Sequence, residues 1–176
     1  MANFVFIATS LDDFIADKNG GIDWLHEIPN HTGSDYGYNA FIESIDALVM
    51  GKNTFEKVLS FACDWPYTKK VFVLNNTLKE VDPSMSGKAE VISGDLKDIV
   101  ETLKGKGFEN LYIDCGKTIQ AFLNEGLIGE ITINRIPILL GSGISLFGNL
   151  DDSLKLEHCT TEILDGGMVK SHYKKV

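Results

Sequence analysis

Leu111-Tyr112-Ile113-Asp114-Cys115-Gly116-Lys117-Thr118 is the stretch on which the reading of this fold turns. Its first three residues form a short apolar run, the pattern of a buried strand. Gly116 permits a sharp turn or the close approach of a ligand to the backbone. From Thr118 to Asn124 the residues read as a helix. The first amides of a helix have no partner within it, and with the helix dipole they stabilise an anion. The same order occurs upstream, where Ala47-Leu48-Val49-Met50 runs into Gly51-Lys52-Asn53-Thr54 and a short helix over 54–59. There Lys52 adds a cation and Thr54 a hydroxyl. Ligands of open α/β sheets sit at the carboxyl ends of strands. Two such turns therefore suggest an extended, dinucleotide-like ligand; two ordinary helix caps are the plainer alternative. Neither turn is a P-loop, and the G-x-G-x-x-G fingerprint is absent.

Outward from these turns the alternation continues. Strands are expected at 4–9, 70–74, 89–92 and 130–136. Helices are expected at 34–45, with Tyr38, Phe41, Ile42 and Ile45 on one stripe, and at 95–103, with Ile99, Val100 and Leu103 inward. The tail offers two strands, over 154–161 and 168–173, around the turn signal Gly166-Gly167. Strands alternating with helices of about ten residues predict a mainly parallel α/β sheet, here with an antiparallel C-terminal edge.

A length of 176 residues fits one domain, spanning 1–176. Sixteen Lys and Arg against 25 Asp and Glu give a net charge of −9. Such a surface argues against a nucleic-acid backbone or an anionic membrane as the main partner. Arg135 is the one arginine, so an anion site must rest on lysines, backbone amides and helix N-termini. Cys63, Cys115 and Cys159 are odd in number and widely spaced, which suggests neither a disulfide framework nor a zinc site. Asp12 and Asp13 would point to opposite faces of a strand, so turn formation is expected of them and no metal. The start has no basic segment or cleavage site, and no apolar run approaches the ~20 residues of a membrane helix. A cytoplasmic protein is expected. In Ile138-Leu139-Leu140-Gly141-Ser142-Gly143, the two glycines allow either a plain turn or backbone laid against a ligand.

Taken in order, Ser10-Leu11-Asp12, Trp24, Gly51-Lys52-x-Thr54, Asp114-Cys115-Gly116-Lys117-Thr118, Leu127-Ile128-x-Glu130, Pro137 to Gly143 and Leu146-Phe147 resemble the dihydrofolate-reductase-like superfamily. Within it the chain resembles the reductase domain that ends the bifunctional riboflavin-biosynthesis protein, and its free-standing bacterial relatives. The resemblance implies a three-layer α/β fold with a mixed, mostly parallel sheet of about eight strands. It implies NADPH as cofactor, a small-molecule substrate and a homodimer. Apolar Ile131–Ile138 could extend into the partner. By resemblance, the backbone near Ala8 and Ser10 meets the nicotinamide. Gly51, Lys52 and Thr54 meet the adenosine-side phosphates, and Leu74, Asn75 and Asn76 line the adenine ribose. Gly116, Lys117, Thr118 and Ile119 cradle the pyrophosphate, with Gly141 and Gly143 as further contacts. The chain departs from the family pattern at Asp13 and Cys115, where glycine is usual, and at Gly129, where aspartate is common. In dihydrofolate reductases the glycine pair matching Cys115-Gly116 carries a cis peptide.

Hydride transfer needs an electron-poor acceptor carbon and usually a nearby proton. Asp35 is the candidate proton relay. It precedes Gly51 by about the interval at which dihydrofolate reductases carry their pocket carboxylate, and partial burial would raise its pKa. Its alternative role is a dipole-favoured residue in a first helical turn. Asn39 would face the same pocket. Trp24 either walls the pocket or packs in the core. One arginine and no deaminase partner favour a reductase of an unspecified small substrate over the riboflavin step itself. The competing readings are an inactive NADP-binding module or sensor and, ranked lower, a dihydrofolate reductase.

Overall fold

The computed structural model describes residues 2–176 apart from residues 62 and 79. Ten strands and four α-helices follow one another as β1 (Ala2–Thr9), β2 (Phe14–Ala16), α1 (Tyr38–Ser44), β3 (Ala47–Gly51), α2 (Lys52–Leu59), β4 (Lys70–Leu74), β5 (Ala89–Ile92), α3 (Leu96–Gly105), β6 (Asn110–Asp114), α4 (Gly116–Asn124), β7 (Glu130–Arg135), β8 (Ile144–Ser145), β9 (Leu156–Ile163) and β10 (Val169–Lys175). Eight of the strands form one sheet in the order β5-β4-β3-β6-β1-β7-β10-β9. All neighbours up to β7 run parallel, and β10 is antiparallel to both β7 and β9. The carboxyl ends of the parallel strands therefore share one edge. The expected antiparallel C-terminal edge is present, and β10 lies inside it with β9 outermost.

Strand alternation builds the three layers. Val5, Val49, Phe72, Leu111 and Ile113 face α3 and α4. Phe6, Leu48, Met50, Val71 and Tyr112 face α1 and α2. Side chains such as Leu48, Phe72 and Ile113 are fully buried, each contributing about 1.5–3 kcal/mol relative to exposure. In α4, Ile119, Phe122 and Leu123 share the buried stripe, and α3 starts where Asp95 accepts from the Lys97 amide.

Four expectations need revision. The helix expected over 34–45 begins only at Tyr38, because Gly37 takes a left-handed φ of 86°. Sequence periodicity gave no sign of the small antiparallel pair of β2 and β8, whose strands are three and two residues long. All peptides are trans among the described residues; the backbone strain sits at Cys115 instead, as described below. Finally, β7 has β1 on one side and β10 on the other. It offers no free edge to a partner chain, so Ile131–Ile138 lends the expected dimer no support.

Candidate functional site

The chain leaves β3 through α2 toward β4, and leaves the adjacent β6 through α4 toward β7, in opposite directions. Such a divergence opens a crevice at the carboxyl edge of an α/β sheet. The two glycine turns nest across it. A Cβ added at Gly51 would lie 3.3 Å from Thr118 Oγ1 and 3.9 Å from Cys115 Sγ. Neither Gly51 nor Cys115 supplies a side-chain cap, so the first-turn amides of α2 and α4 face the crevice with no capping side chain. Lys52 stands at the first mouth, 3.5 Å from Glu56, and Lys117 is exposed at the second. Cys115 adopts φ 74° and ψ 150°, a region essentially reserved for glycine. Its amide donates to Asp114 Oδ1 at 2.8 Å, and its Sγ lies 3.4 Å from Thr118 Oγ1.

Several expected residues have other employment. Ser10 is fully buried; its hydroxyl donates to Asp12 and accepts from the Phe14 amide, and its own amide donates to Phe14 O. Its side chain and amide are thus committed within the turn, and its carbonyl accepts from the Asp13 amide at 3.1 Å. Ile119 is core, with its amide committed to Cys115 O. The Gly141 amide donates to Asp12 Oδ2 at 2.7 Å. A Cβ at Gly143 would collide with Ala16 O, 2.2 Å away, so that glycine lets β8 pack on β2. Trp24 is buried with Ile136 and Met168, behind the pocket wall. Asn39 is exposed and gives Asp35 its backbone amide. Leu74, Asn75 and Asn76 do end β4 at the shared edge, with Asn75 Oδ1 accepting from the Thr77 and Leu78 amides. Asp12 and Asp13 shape a turn as expected. Asp13 sits at φ 63° and pairs with Arg135 at 2.6 Å, which gives that non-glycine residue a function.

Beside the crevice, on the α1 face, lies a cavity of about 260 Å³. Phe6, Ala8, Tyr38, Tyr112, Asn134 and Met168 line it, with Asp35 at the rim. A larger concavity of about 630 Å³ opens beside Asn3, Lys97 and Glu130, at the amino ends of β1 and β7 and away from both turns. Its position excludes it from this site.

The two carboxylates near the small cavity behave oppositely. Asp35 accepts from the Asn39 and Gly37 amides at 2.8 and 2.9 Å. Those bonds hold its carboxyl below the ordinary range, against the raised pKa expected from sequence. Asp114 lies on β6 close to Tyr38, Tyr67 and Tyr112, and burial pushes its carboxyl up. The same burial and the nearby Asp114 charge push Tyr38 to about 12, with Tyr67 and Tyr112 also raised. Tyr112 Oη is 3.0 Å from Phe6 O and 3.4 Å from Asp114 Oδ1. Sequence reading passed over Asp114, Tyr112 and Asn134 as site residues. The signal available was parity: Tyr112 and Asp114 share a face of β6, and Asn134 shares a face of β7 with Thr132.

The fold is dihydrofolate-reductase-like. The chain belongs to the RibD C-terminal domain family, whose model matches residues 4–170. It is 51% identical, with a TM-score of 0.97, to a Shewanella sp. PV-4 protein provisionally assigned to riboflavin biosynthesis, over 100% of this chain and 99% of that one. Its fold also matches the Thermotoga maritima diaminohydroxyphosphoribosylaminopyrimidine deaminase/5-amino-6-(5-phosphoribosylamino)uracil reductase at TM-score 0.74 and 15% identity, over 99% of this chain and 56% of that one. An Enterococcus faecalis dihydrofolate reductase complexed with NADP(H) matches at TM-score 0.65 and 14% identity, over 99% of this chain and 96% of that one. Among the described residues no helix is long and apolar enough to cross a membrane.

Proposed function

We propose that this protein is an NADPH-dependent reductase that delivers a hydride to a small heterocyclic, carbonyl or imine substrate. The observation that carries the reading is the pair of uncapped helix N-termini nested across the β3/β6 divergence. Donors so arranged fit a phosphate-rich dinucleotide without arginine. The amides of α2 and α4 with Lys52, Thr54, Lys117 and Thr118 would hold the phosphates. Leu74, Asn75 and Asn76 would flank the adenosine end, and Ala8 the reacting ring. Bound NADPH supplies the hydride; the chain supplies position and a proton. Asp114 and Tyr112 are the proton route in this reading, because burial favours the protonated Asp114 and Tyr112 joins it to the cavity. Asp35, whose bonds favour the ionised form, is a rim residue.

Titration with NADPH, followed by cofactor fluorescence, tests the cofactor. An unchanged signal up to millimolar NADPH removes the proposal. Loss of absorbance at 340 nm with a panel of pterins, pyrimidine ribosylamines and carbonyl compounds tests turnover. Asp114→Asn is expected to cut turnover at least tenfold, in the range of a general acid, while leaving NADPH affinity unchanged. A binding module without catalysis is the second reading, favoured by the ionised state of Asp35; NADPH binding with no turnover across the panel would establish it. The proposal includes a homodimer, which sedimentation at micromolar protein checks.

A further inference from the structure

The small cavity has one buried polar group with no assigned work, Asn134, and a lysine outside its lining, Lys170, stands near its rim. Asn134 is 4% exposed, yet its Oδ1 has no hydrogen-bond partner. A buried amide left so is costly, and a bound molecule that pairs with it recovers that cost. Asn134 lies directly across from Lys170 on β10 and from Ala8 on β1. Lys170 is half-buried, and its ammonium would lie 3.0 Å from a Cβ at Gly37, at the cavity rim. Its charge is felt at Asp35, but none of the ion pairs among the described residues includes it. The cavity thus presents an amide edge and, one strand away near its rim, a lysine that makes no close ion pair among the described residues and faces the Asp35 carboxylate only at longer range.

Size and charge narrow what can fill it. About 260 Å³ is below the usual 300–1,000 Å³ of pockets for larger ligands, and it suits one ring with a small substituent. A phosphate group would call for a bidentate arginine or several donors. The one arginine, Arg135, does not line the cavity and pairs with Asp13 through one of its terminal nitrogens. One lysine matches one carboxylate. We infer that the substrate is a single-ring cyclic amide carrying a carboxylate on or beside the ring, with Asn134 pairing to the ring amide and Lys170 to the carboxylate. The inference rests on the cavity being the reductase's substrate site, and it differs from a ring that carries a phosphopentose.

Saturation-transfer NMR on the wild-type protein, with and without NADPH, tests this by binding alone. The probes are orotate, a cyclic imide with a ring carboxylate; uracil, the same ring without it; benzoate, the carboxylate without the imide; and uridine 5′-monophosphate. Orotate should bind about tenfold more tightly than each of the others, the increment of a charge-assisted hydrogen bond. Lys170→Met should reduce orotate to the level of uracil and leave uracil unchanged, and Lys170→Arg should restore orotate. Asn134→Leu should weaken orotate and uracil alike and spare benzoate. Tighter binding of uridine 5′-monophosphate than of orotate overturns the inference, as does orotate binding that Lys170→Met leaves intact, or no orotate binding at all. NADPH titration of the same samples separates the two claims. Cofactor binding without orotate binding rejects only this inference; orotate binding without cofactor binding rejects the reductase reading, and with it the ligand's role as substrate, while the ligand class of the cavity stands.

Discussion

Cys115 and Asp114 are neighbours held at opposite costs. Cys115 pays in backbone conformation, since φ 74° with ψ 150° places its Cβ where glycine has none. Cys115→Gly should raise stability by about 1 kcal/mol, the relieved strain less the added entropy of the unfolded chain. Chemical denaturation measures it, and a loss of stability would contradict the strain argument. Asp114 is penalised through its charge. Burial raises its folded-state pKa above the ordinary 3.8, so its favourable contribution is complete below that value and is lost as pH rises through the folded pKa. Asp114→Asn should therefore gain stability relative to the parent as pH increases from about 4 to 8. Melting curves of the two proteins across that range should diverge; parallel curves would place the carboxyl in water. Neither feature was legible from spacing. The turn at Asp114-Cys115-Gly116 was readable because strand, glycine and helix have distinct local patterns, whereas desolvation depends on Tyr38 and Tyr67, far away in sequence.

At the scale of elements, α1 shows most plainly what periodicity reveals and what it misses. The stripe of Tyr38, Phe41 and Ile42 correctly gave its packing face. Phe41 stacks on Phe6 with centroids 4.8 Å apart and meets Tyr112 edge-on at 4.9 Å. Phe41→Ala should cost about 2–3 kcal/mol, toward the low end for a core phenylalanine because the ring is only half-buried. Denaturant melts give the number, and a loss under 1 kcal/mol would mean that α1 is held mainly by other contacts. The start of α1 was misplaced because a left-handed Gly37 and the Asp35 carboxylate end the preceding loop, and local composition does not distinguish a capping aspartate from one inside the helix. The loop over 138–143 has a similar clamp. Asp12 accepts from the Leu140 and Gly141 amides, so Asp12→Ala should speed hydrogen exchange at both. Unchanged exchange there would assign the loop's order to β8.

Over the whole molecule, one carboxylate with lowered pKa, Glu90, ties β5 to Lys70 of β4, and three others hold loops at the rim of the site. Asp12 holds 140–141, Asp35 holds 37–39, and Asp165 accepts from the His31 and Thr32 amides. Each contributes above the ordinary value of 3.8 and ceases to as pH falls through its lower folded value. Acid should therefore loosen the rim of the site before the sheet opens. Amides of Thr32, Asn39 and Gly141 should lose exchange protection at a higher pH than those of Val49 and Ile113; simultaneous loss would show a single cooperative transition. The overall architecture was legible because alternating strands and helices admit few right-handed arrangements. The small cavity was less so, since β1, β6 and β7 line it together with Asp35, Tyr36 and Tyr38, and only the register of β7 and β10 sets Asn134 beside Lys170.

The strand order also sets a timetable. β1 is made first, yet its sheet neighbours are β6 and β7, with Phe4 paired to Tyr112 and to Glu130. During synthesis at about 5–20 residues per second, the apolar Phe4–Ile7 segment emerges and waits roughly 5–25 s before a partner strand exists. Through that interval it is an unpaired, aggregation-prone edge, and the later long-range closure makes folding slow for a chain of this size. The strand at the centre of the finished sheet is thus the nascent chain's most vulnerable segment and the natural first target for a chaperone.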